Sequence, residues 1–484
     1  MSQVDTAALS DPKRVIPIVA MPRPRPLLQS LGDAMQQHAG GIRLVQWIVV
    51  LFYLVLVGYP AFQPLPPQHV HLWENLTLAA QFVFWGVWWP FVILSMMLVG
   101  RVWCGLFCPE GMLTELASKH GLGRATPKWM KWGGWSFVAF VLTTVYGQLV
   151  SVYEYPQPAL LILGGSTIVA VAVGFVYGRN KRVWCKYLCP VSGVFALLAR
   201  LSPVHFRVDR EAWDSWDRPH QPGQPHVQPI NCAPLVDMRR MTGAADCHMC
   251  GRCSGHRDAV ALSARPFGRE IVRLKKDDVR PWEVRLLVWG IIGVAGGAFQ
   301  WSASPWFVAA KLKAAEWLVD HDAYMLLQDN APWWLLTHYP QANDVFTWLD
   351  GLGILLYIGI TALLLGSWIT LWLRAAGTML PGDSRQNALR LAYSLVPMGG
   401  FGVFLGLSAM TVTLLKPEGA VFDWLPAARG TALTLAVLWS AWLALRMIAS
   451  EKGTAWWRNA GATACVVAAI AGAASAWWLL FFGW

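Results

Sequence analysis

Nine stretches of apolar residues, each about 20 residues long, recur along the 484-residue chain, and charged residues concentrate between them. A run of this length spans the hydrocarbon core of a bilayer as a helix. The predicted spans are 43–61, 77–99, 133–152, 159–178, 284–302, 352–373, 390–413, 430–447 and 461–482. The pattern predicts an all-α polytopic membrane protein with about nine transmembrane helices.

The composition agrees with a chain that lies in a membrane. Hydrophobic residues make up 55% of it and charged residues only 14%, and the mean hydropathy is +0.40, values that exclude a soluble protein of this length. The 30 tryptophans are typical of the aromatic belts at the two bilayer faces. The formal net charge is +11, which we attribute to cytoplasmic loops rather than to a nucleic-acid partner.

Lysine and arginine residues are distributed unevenly between the loops. Many follow the second and fourth predicted helices, whereas the loops after the first and third helices hold none. Basic residues accumulate on the cytoplasmic side of membrane proteins. The pattern therefore predicts a multi-pass protein of the bacterial inner membrane, with its N-terminus inside and its C-terminus outside.

These patterns divide the chain into four predicted parts. Residues 1–40 form a polar cytoplasmic tail without a signal peptide, and residues 41–201 form a membrane domain of four helices. Residues 202–282, the long polar segment that contains cysteines, form a small cytoplasmic domain. Residues 283–484 form a C-terminal membrane domain of about five helices, with an outside segment at 303–350.

Two similar motifs of the form C-x-x-x-C-P follow the second and fourth predicted helices. Their shared residues are Cys104, Cys108, Pro109, Cys185, Cys189 and Pro190. Thiols four residues apart face the same side of a helical turn, so each pair would act as a two-point ligand for a soft metal. A proline after the second cysteine suits the first turn of a following helix.

The two motifs belong to an internal repeat. When the sequence is aligned with itself at one constant offset, the first cysteine pair aligns with the second pair, and the second predicted helix aligns with the fourth. The repeated unit is helix, helix, C-x-x-x-C-P. Because two units of the same orientation pack about an axis along the membrane normal, both pairs should reach the inner membrane face near that axis. We therefore expect Cys104, Cys108, Cys185 and Cys189 to share one metal site.

A second group of cysteines lies in the predicted cytoplasmic domain. Its three closely spaced members are Cys247, Cys250 and Cys253. Their C-x-x-C-x-x-C spacing lets three thiolates bind three corners of a cubane cluster. The usual bacterial run continues with a cysteine where this chain has Arg257. We predict Cys232 as the fourth ligand, with His256 as the alternative, and a structural zinc ion bound by four cysteines as the competing interpretation.

The spacing of the two membrane pairs does not fix their metal. Four thiolates suit an iron–sulfur cluster, Cu(I) or zinc. Haem is a poor candidate, because all 11 histidines fall outside the predicted spans or at their ends and leave no paired axial ligands within the bilayer. The ninth cysteine, Cys465, stands alone in an alanine-rich helix, and we interpret it as a packed core residue.

These residues resemble a known family, the membrane-bound polyferredoxins with paired C-x-x-x-C-P motifs. The matching cysteines are Cys104, Cys108, Cys185, Cys189, Cys247, Cys250 and Cys253. The family includes the membrane subunit that passes quinol electrons toward periplasmic nitrate reductase, the membrane regulator of nitrous-oxide reductase and a copper reductase of cytochrome-oxidase assembly. The resemblance covers roughly residues 40–275. Family members commonly carry two complete ferredoxin runs, whereas this chain carries a single incomplete one.

The resemblance and the cysteine groups together imply electron transfer. The expected protein passes electrons between a quinol or cytoplasmic donor and a partner redox subunit or metalloenzyme, with no catalytic residue of its own. Its implied cofactors are a 4Fe–4S cluster in the cytoplasmic domain and a second iron–sulfur cluster or Cu(I) at the paired motifs, with quinone as a further candidate. The alternative is a copper-handling or copper-reducing protein of metalloenzyme assembly.

Overall fold

The computed structural model describes residues 26–67, 70–216, 230–451 and 453–484. Residues 1–25 of the predicted tail lie outside this part. The remainder of the tail contains helix α1 (Leu27–Gln37), which ends just before the first long apolar helix. The tail is therefore helical over the stretch that leads into that helix, a feature that its polar composition did not predict.

The described chain is mostly helical. In chain order, the helices that follow α1 are α2 (Ala39–Phe62), α3 (Leu76–Val99), α4 (Val102–Leu106), α5 (Pro109–Lys119), α6 (Trp135–Leu149), α7 (Pro156–Tyr177), α8 (Val183–Tyr187), α9 (Ser192–Ala199), α10 (Pro281–Ala303), α11 (Pro305–Asp320), α12 (Trp348–Met379), α13 (Ser384–Leu415), α14 (Leu425–Ala449) and α15 (Trp456–Gly483). Shorter helical turns connect some of them.

Eight of the described helices are long and apolar enough to cross a membrane. They are α2, α3, α7, α10, α12, α13, α14 and α15. The remaining predicted span, 133–152, corresponds to α6, which is apolar but only 15 residues long. The polytopic helical architecture is thus supported, while the count of nine spans stays a prediction.

The internal repeat is visible in the order of the elements. Helices α2 to α5 and helices α6 to α9 each comprise two long apolar helices, a short helix and a further helix. The second long helix of each unit contains a wide π-helical stretch, Phe82–Trp88 in α3 and Leu160–Gly164 in α7. The short helices α4 and α8 lie at equivalent positions in the two units, as the cysteine spacing predicts.

The last helix of each repeat packs against the other repeat. Helix α5 packs against α7 of the other unit, and α9 packs against α3. The α5–α7 contact is close because Gly174 has no side chain: a Cβ there would lie 2.5 Å from the carbonyl oxygen of Thr114. The Thr114 hydroxyl donates to the carbonyl oxygen of Ala170 at 2.7 Å. Each repeat therefore packs against the helix that follows the C-x-x-x-C-P motif of the other repeat.

The C-terminal helices extend the same membrane core. Helix α12 packs against α10 and α15, and α13 packs against α3 and α14. Small residues permit close approach of helices in a membrane. At Gly402 in α13, for example, a Cβ would lie 2.2 Å from the ring of Trp477 in α15. The C-terminal domain is therefore a packed extension of the repeat domain.

The cysteine-containing polar segment carries a small sheet. Strands β1 (Val204–Val208) and β2 (Val260–Ala264) pair antiparallel, with Phe206 opposite Leu262. Helix α1 covers this sheet, where a Cβ at Gly32 would lie 3.0 Å from the Leu262 Cβ. A second two-stranded sheet, β3 (His338–Tyr339) with β4 (Asp344–Val345), follows α11 in the segment predicted to lie outside. The expected all-α class thus holds for the membrane helices but not for these two connecting segments.

A buried ion pair joins the polar segment to the membrane helices. Arg200, at the end of α9, is only 5% exposed. Its two terminal nitrogens lie 2.9 Å from carboxylate oxygens of Glu270 and Glu283. Glu270 lies in the short helix Arg269–Val272, and Glu283 lies in α10. One guanidinium therefore holds three segments of the chain together.

The substitution Arg200→Ala should destabilise the fold strongly. It removes the partner that two buried carboxylates share. Glu270 keeps Arg265 at 2.8 Å and Glu283 keeps Arg280 at 3.1 Å, so the free energy of unfolding is expected to fall by about 3 kcal/mol, the lower end of the range for breaking a buried ion pair. Arg240→Ala is the control, since Arg240 is 87% exposed and its pair with Asp237 contributes less than about 1 kcal/mol. Chemical denaturation of the two solubilised variants measures the difference. Equal losses in both would contradict a joining role for Arg200.

Candidate functional site

The first candidate site is built from the two repeated motifs, here called the membrane set: Cys104, Cys108, Cys185 and Cys189. Helices α4 and α8 carry the first cysteine of each motif, and the second follows directly after the helix. The same hydrogen bond closes both turns, since the amide of Cys108 donates to Trp103 O at 2.9 Å and that of Cys189 to Trp184 O at 3.1 Å. The repeat thus gives both cysteine pairs one local conformation.

The two prolines play different structural parts. Pro109 is the first residue of α5, and the Cys108 sulfur caps this helix by accepting the amide of Gly111 at 3.3 Å. Pro190 instead lies in a turn, because α9 begins at Ser192. The predicted helix start after the second cysteine is therefore correct for the first motif and slightly early for the second.

All four cysteines of the membrane set line one cavity of about 260 Å³. Its walls are mainly aromatic and aliphatic, and include Trp85, Trp88, Trp89, Phe140 and Phe299. Cys104 and Cys185 are buried, and the other two are half-buried. Among the described residues, no three histidine, cysteine, aspartate or glutamate side chains converge closely enough to hold a single metal ion.

The thiols of the membrane set interact electrostatically with one another. Burial is the main cause that raises the pKa of Cys185 to about 12; Arg182 opposes this rise, and the neighbouring Cys104 adds to it. Burial also raises the pKa of Cys189, with contributions from the other three cysteines of the set. Such thiols stay protonated at neutral pH unless a cation replaces the proton. The set is thus suited to bind metal rather than to hold free thiolates.

Two equivalent arginines surround the membrane set. Arg101 and Arg182 occupy the same position in the two repeats and are only 4% and 2% exposed. Arg101 donates to the hydroxyl of Ser192 at 2.9 Å, across the repeat boundary. Arg182 donates back across it, to the carbonyl oxygen of Cys104 at 2.6 Å. Two buried guanidinium groups therefore offset the negative charge that four thiolates would bring.

The second candidate site is the cytoplasmic set: Cys232, Cys247, Cys250 and Cys253. The last three lie in an irregular loop that turns through left-handed residues at Met249 and Gly251. Burial, with a contribution from the nearby Cys250 and Cys232, raises the pKa of Cys253 to about 12. Burial also raises the pKa of Cys247, which interacts with Cys253, Cys250 and Cys232. The four cysteines thus lie near enough to one another to interact electrostatically, while their role as ligands stays a prediction.

Cys232 is held beside this loop by contacts to the second motif. The amide of Arg182 donates to the carbonyl oxygen of Ala233 at 2.8 Å, and the Lys181 ammonium donates to that of Cys232 at 3.0 Å. The alternative ligand, His256, is placed differently: its ring packs edge-on against Trp213, with 5.2 Å between ring centroids. The arrangement favours Cys232 as the fourth ligand, which stays a prediction.

The two cysteine sets are direct neighbours. Gly105, next to Cys104 in α4, faces the backbone of the cytoplasmic loop: a Cβ there would lie 2.1 Å from the carbonyl oxygen of His248 and 2.9 Å from the amide of Cys250. Arg182 lies close enough to interact electrostatically with both Cys185 and Cys250. Gly105, which has no side chain, and the buried cation of Arg182 thus lie between the two cysteine sets.

Several of these residues were not predicted as site residues. The sequence did contain a feature that could have identified Arg101 and Arg182, because the repeated R-V-W sequence retains an arginine at both positions. It contained none for Glu115, which pairs with Arg182 and Arg252 at 2.7 Å each, or for Gly105, since their partners come from distant parts of the chain. The cysteines of each set lie near one another, and their role as ligands stays a prediction; the residues that connect the two sets depend on the tertiary fold.

Both sets offer donors that fit a four-iron cluster. Each comprises four cysteine thiols, the donor set that such clusters require. The membrane set lines a cavity, and basic residues lie beside both sets: Arg101, Arg182, Lys181 and Lys186. Cys465 lies apart from both, buried in the core of the C-terminal helices, as predicted.

Comparison with known proteins supports this chemistry. The family described as "4Fe-4S binding domain" matches the chain twice, over residues 81–129 and 161–209. Each match begins in the second long helix of a repeat and includes its C-x-x-x-C-P motif. The family match thus reflects the internal repeat, and it favours an iron–sulfur cluster among the three metal centres that the spacing of the paired motifs left open.

Curated relatives match about a quarter of the chain. The methylamine utilization ferredoxin-type protein MauN of Paracoccus denitrificans (strain Pd 1222) is 30% identical over 29% of this chain and 56% of its own length. The putative electron transport protein YccM of Escherichia coli (strain K12) is 26% identical over 25% of this chain and 40% of its own length. MauN of Methylorubrum extorquens is 27% identical over 25% of this chain and 45% of its own length.

The matched region thus spans about half the length of these relatives. No solved structure matches the chain at comparable significance. The resemblance to membrane-bound polyferredoxins is confirmed, and the relatives support a role in electron transfer in general. The electron donor, the partner, the inner-membrane location and the inside N-terminus stay predictions.

Proposed function

We propose that this protein is a membrane-bound iron–sulfur electron-transfer protein that carries electrons between a quinol or cytoplasmic donor and a partner redox complex. The observation that carries the proposal is the contact between the two cysteine sets. The loop of the cytoplasmic set lies on Gly105, next to a cysteine of the membrane set. Two adjacent four-cysteine sets in one chain favour electron transfer over two unrelated structural metals.

The cysteines are the proposed ligands. Cys232, Cys247, Cys250 and Cys253 would hold one 4Fe–4S cluster, and Cys104, Cys108, Cys185 and Cys189 a second. A four-iron cluster supplies reversible one-electron transfer when bound. The chain's own residues exclude water from the membrane set and offset its charge through Arg101 and Arg182, two influences that set the potential of such a centre.

The cavity supports a quinol as the donor. It extends from the membrane set to Val152 and Tyr153, in the loop predicted to lie outside. Its aromatic walls suit a flat apolar ring, and its few polar groups suit the two oxygens of a quinol. A donor that enters through this cavity would meet the membrane set first. The partner redox complex would then receive electrons at the cytoplasmic set.

Filling the cavity should block reduction by a quinol without affecting the clusters. Thr144→Phe places a ring in the cavity and is expected to slow reduction by a soluble quinol analogue by roughly tenfold or more, because the ring occupies space that the quinol needs and each loss of about 1.4 kcal/mol in binding lowers affinity tenfold. Leu142→Phe is the control, because Leu142 is 63% exposed on the same helix. The assay follows anaerobic bleaching of the iron–sulfur absorbance, with dithionite giving the total reducible iron.

Dithionite should reduce the wild type and both variants to the same extent. Equal rates of reduction by the quinol analogue in the wild type and both variants would show that the quinol does not donate electrons through this cavity. No quinol reduction of the wild type, with full reduction by dithionite, would leave a cytoplasmic donor as the alternative.

A further inference from the structure

A second cavity, of about 540 Å³, lies between α10, α12 and the beginning of α13, away from both cysteine sets. Three arginines line it: Arg285, Arg374 and Arg385. Arg285 lies near the start of α10, Arg374 near the end of α12, and Arg385 is the second residue of α13. The three positive charges therefore meet at one end of the membrane domain, which the predicted topology places at the inner face.

The charge of this cavity is not balanced by the chain. No aspartate or glutamate of the described residues lines it. All three arginines are exposed, and none forms an ion pair with a carboxylate in the described part of the protein. The neighbouring Lys276 and Arg390, by contrast, both pair with Glu451. The cavity therefore favours binding of an external anion.

The lower wall of the cavity is apolar. Trp289 of α10 packs so closely on α12 that a Cβ at Gly366 would lie 2.4 Å from its ring. Leu371 and Leu364 precede Arg374 on the same helix, by about one turn and about three turns, and are 63% and 67% exposed. Such spacings place them below Arg374 on one face of the helix. An occupant thus meets positive charge at one end and apolar surface at the other.

We propose that this cavity binds the headgroup of an anionic phospholipid of the inner leaflet. The arginines would hold the phosphate through charge-assisted hydrogen bonds, to which the hydroxyl of Ser384 would contribute. The acyl chains would lie along Leu371 and Leu364. A lipid bound between α10, α12 and α13 would stabilise the packing of the C-terminal helices. This inference does not depend on the proposed electron transfer.

Native mass spectrometry of the full-length protein tests the proposal directly. The protein is equilibrated with an equimolar mixture of phosphatidylglycerol and phosphatidylcholine in detergent micelles, and the retained lipid is identified and counted. Wild type should retain phosphatidylglycerol in preference to phosphatidylcholine. The variant R374Q/R385Q should bind phosphatidylglycerol about thirtyfold more weakly, because each basic residue near an anionic lipid contributes about a fivefold factor in affinity. The control Arg446→Gln removes an exposed arginine near the end of α14, outside the cavity, and should bind like the wild type.

Three results would overturn the proposal. The double variant could retain phosphatidylglycerol as well as the wild type does. Phosphatidylcholine could be retained equally by the wild type, which would show that charge does not select the occupant. Millimolar inorganic phosphate could displace the lipid completely, which would assign the arginines to a free phosphate instead. Since all three arginines are exposed, the substitutions leave the core intact, and an unchanged melting temperature of the lipid-free variants verifies this.

Discussion

Arg182→Ala is expected to remove iron from both cysteine sets at once. The guanidinium is 2% exposed, pairs with Glu115 at 2.7 Å and donates to the carbonyl oxygen of Cys104 at 2.6 Å. Its charge also favours the thiolate form of Cys185 and interacts with Cys250. Loss of one partner from a buried pair costs about 3–5 kcal/mol. The remaining contact of Glu115 with Arg252 places the expected loss near the lower end of this range.

The matched control for this variant is Arg179→Ala. Arg179 lies slightly earlier in the same loop but is exposed. Iron content after anaerobic purification, together with the thermal midpoint, measures both variants. We expect a large loss of iron and a lower midpoint for Arg182→Ala, and wild-type values for Arg179→Ala. Full iron in Arg182→Ala would show that this cation does not support the two sets.

Gly105→Val is expected to separate the two sets. A Cβ at this position would lie 2.1 Å from a backbone oxygen and 2.9 Å from a backbone nitrogen, neither of which can rotate away as a side chain can. Overpacking of this kind costs about 1–3 kcal/mol or more. The displaced loop carries Cys250, so we expect the cytoplasmic set to lose its iron, with about four of eight irons remaining.

Gly165→Val provides the comparison, because no atom lies within 4 Å of a Cβ at Gly165. Both substitutions place valine in a helix, so the difference between them isolates the contact with the loop. Iron content and proteolytic cleavage of the polar segment report the outcome. If both variants keep full iron and resist cleavage equally, the contact at Gly105 has no role in holding the sets together.

The sequence allowed a correct prediction of the repeat. Cys104 and Arg101 are spaced as Cys185 and Arg182 are, and the structure places the short helices α4 and α8 at these equivalent positions. Such local features depend on residues that are close in sequence. Periodicity and spacing therefore suffice to identify the long apolar helices and the paired motifs, while the cysteine ligand sets stay a prediction.

The contacts between distant segments could not be predicted in this way. Nothing in the sequence around Gly105 indicates that the loop at His248, which follows much later in the chain, lies on it. Likewise, α1 packs on β2, although the polar tail gave no reason to expect a helix there. Nor did hydropathy show that α6 has only 15 helical residues, because the apolar run continues past its last turn.

Metal analysis tests most directly whether the chain holds two adjacent iron–sulfur clusters. Iron, acid-labile sulfide, copper and zinc are measured on anaerobically purified wild type, Cys104→Ser/Cys185→Ser and Cys247→Ser/Cys250→Ser. Two four-iron clusters predict about eight irons in the wild type and about four in each double variant. About four irons in both the wild type and Cys104→Ser/Cys185→Ser, with copper lost from that variant, would contradict two clusters and favour copper handling. Zinc without iron would contradict iron–sulfur electron transfer altogether.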